Sequence, residues 1–310
     1  MSYHICPSVS NGQSLGVKHA VCGPCSTCFT KPDTIVLYPK HGNKVKKPHV
    51  KRQGAINASV TVSAITSTSG KVTVTVRSGD RSISSDLILD PVPVSMTALS
   101  GIKLPGSICQ LFSQPEKMAT LIDNKLHQIY SFNTTAFYSP LADTRTCPAA
   151  SLKPGGCGSY CYARQGTYQL INSVLASELR TLWLVHHLKH GNHRYLADTL
   201  ASGIIRTTLQ RRPMVPLFRF HDSGDIINAE HAHVLVETMA MVHGYGLACG
   251  TQVRAWLPSH SVKLNAIGNV LADAQRYGLL VRPSYDLVDI NDLPDRLPQF
   301  AGYSGVIDHN

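Results

Sequence analysis

Hydrophobic and polar residues alternate in the first third of the chain, which is the pattern of β-strands. In residues 60–64 and again in residues 72–76, valine or alanine at every second position is separated by threonine or serine. The pair Ser69-Gly70 stands between the two runs. Successive side chains of a strand point to opposite faces, so this period of two predicts a β-hairpin with one buried face. Asp90-Pro91 then marks the start of a linker.

From about residue 104 onward, hydrophobic residues recur at spacings of three and four, the spacing of one helix face. This spacing predicts helices over residues 167–190, 194–210, 228–243 and 261–276, with Asn228 as the cap of the third. Short apolar runs predict buried strands over residues 214–220, 247–253 and 279–284. Strands that alternate with helices indicate parallel βα units. We therefore predict an α/β fold, with a partial (β/α) barrel as one arrangement of these units.

Composition and charge divide the chain into three predicted regions. They are a Cys-rich basic N-terminal segment (1–54), a small β-module with its linker (55–100) and an α/β domain that binds metal (101–310). The net charge is +10, from 29 Lys and Arg against 19 Asp and Glu. Such a balance favours polyanionic partners, and the lysines and arginine of residues 40–52 are the candidate contacts to nucleic acid. The chain shows neither a run of 18 apolar residues nor a secretion signal, so we predict a cytoplasmic protein without membrane contact.

The metal-site prediction rests on a group of three cysteines in a loop rich in glycine. Cys147, Cys157 and Cys161 lie close together in the sequence, and glycines and prolines between them let the backbone turn sharply. The nine cysteines of the chain are an odd number, so they cannot all pair as disulfides. In a reducing compartment, clustered thiols indicate metal or redox chemistry, and soft thiolates suit zinc or an iron–sulfur cluster. The spacing does not decide between these two, and it leaves a fourth ligand open.

A second group of three cysteines lies near the N-terminus. Cys22, Cys25 and Cys28 are each separated by two residues, and thiols at this spacing can share one ion or cluster. We predict that they form a separate metal site. A single site shared by the two groups of cysteines is the alternative.

A dense polar segment follows the predicted strand at residues 214–220, and its residues are the candidate catalytic groups. Ligands of parallel α/β sheets bind at the carboxyl ends of the strands. The segment contains a cation, an imidazole, two carboxylates and a hydroxyl, which can bind an anionic group or move a proton. These residues are Arg219, His221, Asp222, Ser223 and Asp225. Strand alternation predicts that Arg219 and His221 point to the same side, and His231 on the following helix is expected at the surface.

Three short motifs together resemble the phage gene product 88 family. The first is Thr146–Ala150 with the later Gly-Gly-Cys and Cys-Tyr-Ala, the second is Arg219–Asp225, and the third is Val281–Ser284. The resemblance covers residues 110–310 and implies an origin in a phage or mobile element, and hence a host cytoplasm. It places Ser223, Gly224, Arg282 and Ser284 among the candidate cofactor-binding residues. The stretch Cys249–Arg254 departs from the Tyr-Thr-Lys-like strand of the family.

The order of the parts is also similar to that of radical S-adenosylmethionine partial barrels, in which a three-cysteine loop precedes a helix and a Gly-rich turn ends the next strand. This analogy adds S-adenosylmethionine to the candidate cofactors, although the cysteine spacing differs from that superfamily. Two functions stay open: an iron–sulfur protein, with or without enzymatic activity on an unidentified small molecule, and a zinc-stabilised nucleic-acid-binding protein.

Overall fold

The structure is a computed structural model that describes residues 3–4, 60–66, 71–90, 111–115, 118–151, 156–164, 166–285 and 304–307. The predicted N-terminal cysteine group, the basic residues 40–52 and the linker from Pro91 onward lie outside the described residues. The strands, in chain order, are β1 (Tyr3–His4), β2 (Thr61–Thr66), β3 (Lys71–Ser78), β4 (Arg81–Ile88), β5 (Ala119–Ile122), β6 (Lys125–Gln128), β7 (Tyr130–Phe132), β8 (Tyr138–Ser139), β9 (Thr144–Arg145), β10 (Leu217–Phe220), β11 (Arg254–Ser259), β12 (Leu279–Tyr285) and β13 (Ser304–Ile307).

The four predicted helices are present, and a further short helix in the cysteine loop was not predicted. In chain order the helices are α1 (Cys157–Tyr160), which is the short one, α2 (Ile171–Lys189), α3 (His193–Ile205), α4 (Ala229–Ala248) and α5 (Asn265–Ala274). Asn228 caps α4 as predicted, since its side-chain oxygen accepts a hydrogen bond from the His231 N–H at 2.9 Å. A π-helical turn, Arg206–Gln210, joins α3 to the segment before β10.

The main sheet has the strand order β1-β13-β12-β11-β10-β7. All neighbours from β7 to β13 are parallel, and only β1 runs antiparallel at the far end. The parallel strands therefore stand in the same order in space as in the chain. Because crossovers between parallel strands are right-handed, this order places the connecting helices on one face of the sheet, as in a (β/α) barrel. The predicted parallel βα units are confirmed.

One face of the sheet packs against the helices and forms the main core. Phe218, Phe220 and Leu257 of the sheet are fully buried together with Leu179 of α2 and Leu235 of α4. Phe218 and Phe220 alternate with Leu217 and Arg219, so the period of two puts the large apolar side chains on the helix side.

The opposite face of the sheet carries a smaller apolar cluster and the buried Arg219. Trp256 packs there with Met118 and Ile129, beside the antiparallel hairpin formed by β5 and β6. Arg219 is in register with Ser131 of β7 and with Trp256 of β11, so it belongs to this second face.

The β-module near the N-terminal side is a three-stranded antiparallel sheet, β2-β3-β4. The predicted hairpin is present, with Val62 paired to Val76, but β4 adds a strand that the alternation had not indicated. The turn at Gly79-Asp80 before β4 is a hairpin signal that could have revealed it. The apolar face of this sheet shares its core with the helices, because Val74 and Leu87 are buried in the same cluster as α2.

One predicted strand is wrong and one helix is longer than predicted. Helix α4 continues to Ala248 through Gly244, and the strand expected at residues 247–253 begins only at Arg254. Gly246 allows this extension because its Cα lies against the carbonyl of Thr251, where a side chain would collide. The chain turns at Gly250, with φ of 68°, a left-handed conformation that glycine adopts without strain.

Candidate functional site at the carboxyl edge of the sheet

Polar side chains collect where the parallel strands end. Strand β7 leads into Asn133–Thr135, β10 into His221–Asp225, and β11 into His260-Ser261. Backbone hydrogen bonds join the first two loops, from the Thr134 N–H to the Ser223 carbonyl at 3.1 Å and from the His221 N–H to the Phe132 carbonyl at 2.8 Å. The carboxyl edge is therefore a continuous polar layer, in the position where α/β sheets bind ligands.

Asp225 is the centre of this layer. It is 3% exposed, and its carboxylate accepts four hydrogen bonds. The donors are the backbone N–H groups of Ile226, His260 and Ser261 at 2.7, 2.9 and 3.0 Å, and the Ser259 hydroxyl at 2.5 Å. Burial raises the pKa of Asp225 above its ordinary value, and these donors oppose the shift. Asp225 thus fastens the loop after β10 to the end of β11.

Arg219 and Asp222 form a buried ion pair on the second face of the sheet. Their Nη1 and Oδ1 atoms are 2.8 Å apart, and both side chains are less than one tenth exposed. The other carboxylate oxygen of Asp222 accepts a hydrogen bond from the Tyr168 hydroxyl. The backbone N–H of Asp222 donates to Asn133 Oδ1 at 2.7 Å. Tyr168 follows the cysteine loop in sequence, so this contact ties the loop to the sheet edge.

The predicted alternation of Arg219 and His221 is wrong. His221 has φ of 55°, so the chain leaves the strand geometry and turns the imidazole toward the helix side. There the ring contacts Phe132 and His231 edge-on, at centroid distances of 5.9 and 5.3 Å. His231 is fully buried, which corrects its predicted surface position. Burial lowers the pKa of His221 to about 4 and lowers that of His231 well below its usual value.

Four further predicted residues lie at or near the same edge. The Ser223 hydroxyl donates to the Thr134 carbonyl at 2.8 Å. Gly224 has φ of 77°, and a side chain at this position would collide with the Thr134 hydroxyl. Arg282 and Ser284, toward the end of β12, are 4% and 7% exposed.

The cysteine loop is anchored through a short hairpin, β8-β9, and the buried Glu178 of α2. Glu178 accepts hydrogen bonds from the hydroxyls of Thr135 and Ser139 at 2.9 and 2.7 Å, and burial raises its pKa. The backbone carbonyl of Thr146, at the end of the hairpin, accepts a hydrogen bond from the Asp225 N–H at 3.1 Å. The sequence analysis did not predict a role for Glu178, Tyr168 or Asn133, because no local pattern distinguishes them from ordinary polar residues.

Cys157 and Cys161 form a contacting thiol pair within this loop. The Cys157 thiol donates a hydrogen bond to Cys161, which lowers the Cys161 pKa to about 6 against the opposing effect of burial. The backbone N–H groups of Ala163 and Arg164 and the Arg164 charge add to this stabilisation of the thiolate. Cys161 is thus prepared to carry a negative charge at neutral pH.

Cys147 lies within electrostatic reach of both Cys161 and Asp225. Burial and the charge of Asp225 raise the pKa of the Cys147 thiol to about 12, and the Phe137 N–H donates to its sulfur at 3.3 Å. In the described part of the chain, no group of three or more His, Cys, Asp or Glu side chains meets the geometry of a metal site. The loop therefore brings two sulfurs into contact and holds the third nearby.

Fold and site together define a parallel α/β protein with a cysteine loop over the carboxyl edge of its sheet. The family model described as Gene product 88 matches residues 110–288, which contain strands β5 to β12 and all three short motifs of the sequence. The chain belongs to the gene product 88 family.

No curated protein and no solved structure matches the chain, so the analogy to radical S-adenosylmethionine barrels gains no support. None of the described helices combines the length and hydropathy needed to span a membrane. The predicted cytoplasmic location, the domain boundaries and the N-terminal metal site stay predictions.

Proposed function

We propose that the cysteine loop binds a zinc ion or an iron–sulfur cluster, with Cys157, Cys161 and Cys147 as its protein ligands. The observation that carries the proposal is the contact between Cys157 and Cys161, with Cys147 held beside them by the Phe137 N–H. Soft thiolates are the preferred ligands of both centres.

The charges of the loop favour a cation. Cys161 is stabilised as a thiolate, and Asp225 adds negative charge close to Cys147. A Cys147 thiolate would be repelled by these two groups, and a bound cation would remove that repulsion and favour deprotonation of the Cys147 thiol. Closure of Cys147 onto the pair, with a fourth ligand from a substrate or from outside the described residues, would complete the site.

Bound zinc would stabilise the folded conformation of the loop, whereas an iron–sulfur cluster would allow the protein to transfer electrons. In the second case, Arg219, Asp222 and Tyr168 form the array that would position a small-molecule substrate beside the loop. The hydrogen bonds that the Asp225 carboxylate accepts from the His260 and Ser261 N–H groups would hold the loop that carries Asp222.

Elemental analysis and visible absorption of protein purified without oxygen test the proposal. We expect iron with visible colour, or zinc without it, and a large loss of metal in Cys157→Ser, Cys161→Ser and Cys147→Ser. Cys249→Ser is the matched control, because Cys249 is exposed at the end of α4, far along the chain from the loop. Equal metal in all four variants would overturn the proposal.

A further inference from the structure

The amino edge of the main sheet, opposite the cysteine loop, carries an arginine in each of the connections that enter β10, β11 and β12. Arg206 lies in the π-helical turn after α3, and Arg211 and Arg212 follow it before β10. Arg254 is the first residue of β11, and Arg276 lies two residues before the glycine that precedes β12.

Contacts between these connections show that the arginines share one edge. The Arg254 N–H donates to the Pro216 carbonyl at 2.9 Å, which joins the starts of β10 and β11. Gln210, next to Arg211, donates to the Tyr245 hydroxyl at the end of α4 at 3.0 Å. The Ala255 N–H donates to the Gly278 carbonyl at 3.0 Å, which adds the connection before β12.

Three exposed arginines of this edge have at most a weak ion pair among the residues that the structure describes. Arg211 and Arg212 are exposed, and neither has an ion-pair partner among the residues that the structure describes. Arg276 lies 3.9 Å from Asp273, but both side chains are more than 60% exposed, and such pairs contribute little. These three arginines therefore present positive charge to solvent.

Aromatic rings lie against two of the arginines. The Arg211 guanidinium stands 5.4 Å from the centre of the Tyr130 ring, and the Arg276 guanidinium stands 5.0 Å from the Tyr277 ring. Tyr130, Tyr245 and Tyr277 all keep part of their surface exposed. Surfaces that bind single-stranded nucleic acid combine cations for the phosphates with aromatic faces for the bases.

We propose that the amino edge, formed by Arg211, Arg212, Arg254 and Arg276 with Tyr130 and Tyr277, binds a single-stranded nucleic acid. The arginines would contact phosphates, and the tyrosines would stack on unpaired bases. A duplex hides its bases from such rings, so the combination favours a single strand. This surface is separate from the basic residues 40–52 and does not depend on the cysteine loop.

Fluorescence anisotropy of the full chain with a labelled oligothymidylate of about 16 nucleotides tests the proposal. The test variant combines Arg211→Gln, Arg212→Gln and Arg254→Gln, and Arg212→Gln alone is the milder second variant. The matched control combines Arg77→Gln, Arg81→Gln and Arg194→Gln, three exposed arginines outside the edge. The same measurement is repeated with an oligouridylate and with a duplex of the same length.

We expect the test variant to bind at least about tenfold more weakly and its salt dependence to flatten by about 2 units in log K against log salt, as for three lost phosphate contacts. The single variant should lose about threefold, and the control should stay within about twofold. The proposal is overturned if wild type does not bind at low salt, if duplex binds at least as tightly as both single strands, or if the control loses as much affinity as the test variant.

Discussion

At the carboxyl edge of the main sheet the charged side chains of Asp225, Arg219 and Asp222 are buried and hydrogen-bonded, whereas Arg211 and Arg212 at the amino edge are exposed to solvent. Asp225 accepts four hydrogen bonds and Arg219 is paired with Asp222 in the interior, but Arg211 and Arg212 have no such partners in the described chain. The same parallel strands thus support two kinds of surface. Pre-ordered groups at one edge suit a small centre, and exposed cations at the other suit an extended polyanion.

This comparison predicts that the same substitution lowers the free energy of unfolding more at the carboxyl edge than at an exposed position. The largest effect is expected for Asp225→Ala, which leaves three backbone N–H groups and one hydroxyl without their acceptor. We expect the free energy of unfolding to fall by about 4 kcal/mol, since each buried donor left unpaired costs about 1–3 kcal/mol. Urea denaturation measures the change. Asp198→Ala, which removes an exposed pair with Arg194, should cost less than about 1 kcal/mol, and equal losses would contradict the comparison.

The second effect is a dependence of stability on pH from the buried histidines. Burial holds the pKa of His221 at about 4, below its ordinary value of 6.5, so the unfolded chain takes up the proton first. Stability is therefore full above pH 6.5 and falls as the pH drops toward 4, by about 3 kcal/mol for His221. His231 acts in the same direction.

His221→Gln isolates this contribution, because glutamine is polar and does not titrate. Thermal or urea unfolding between pH 7 and 4 should show a smaller loss of stability in this variant than in wild type. Parallel pH profiles of the two proteins would show that folding does not shift the pKa of His221, which would contradict the prediction.

The third effect concerns two left-handed glycines. Gly224→Ala at the carboxyl edge should cost about 3 kcal/mol, because the new methyl group would meet the Thr134 hydroxyl as well as strain the backbone. Gly250→Ala, before β11, has nothing within 4 Å and should cost only the backbone strain, about 1 kcal/mol. Melting of both variants checks the difference, and a larger loss at Gly250 would refute the steric argument.

The smallest effect is expected at the amino edge itself. Arg212→Gln should change the free energy of unfolding by less than about 0.5 kcal/mol, since exposed positions away from packed features tolerate substitution. Denaturation of this variant serves a second purpose, because normal stability together with weaker nucleic-acid binding separates function from folding. A loss above about 2 kcal/mol would show that the amino edge is structural.

The sequence predicted the elements whose side-chain period is regular. Helix α2 and the β2-β3 hairpin each show one clear period, and both are present close to their predicted bounds. The predicted strand at residues 247–253 failed because Gly244 resembled a helix stop, whereas the close approach of Gly246 to Thr251 lets the helix continue. That approach is a tertiary contact, which local spacing does not contain.

The candidate site shows the same limit. Clustered cysteines and the dense polar motif are visible in the sequence, so the residues of the carboxyl edge could be named in advance. Their orientations could not, because the positive φ of His221 reverses its side chain and the four donors to Asp225 come from two separate loops. Glu178 could not be found either, since it acts through hydroxyls more than 35 positions away in the chain.

X-ray absorption at the edge of the bound metal tests the central claim most directly, because it counts sulfur neighbours. For protein purified without oxygen, we predict at least two sulfur neighbours at about 2.3 Å. In Cys161→Ser the remaining metal should show one fewer protein sulfur, with Cys249→Ser unchanged. Absence of zinc and iron from the wild-type protein, or a metal surrounded only by nitrogen and oxygen, would contradict the account.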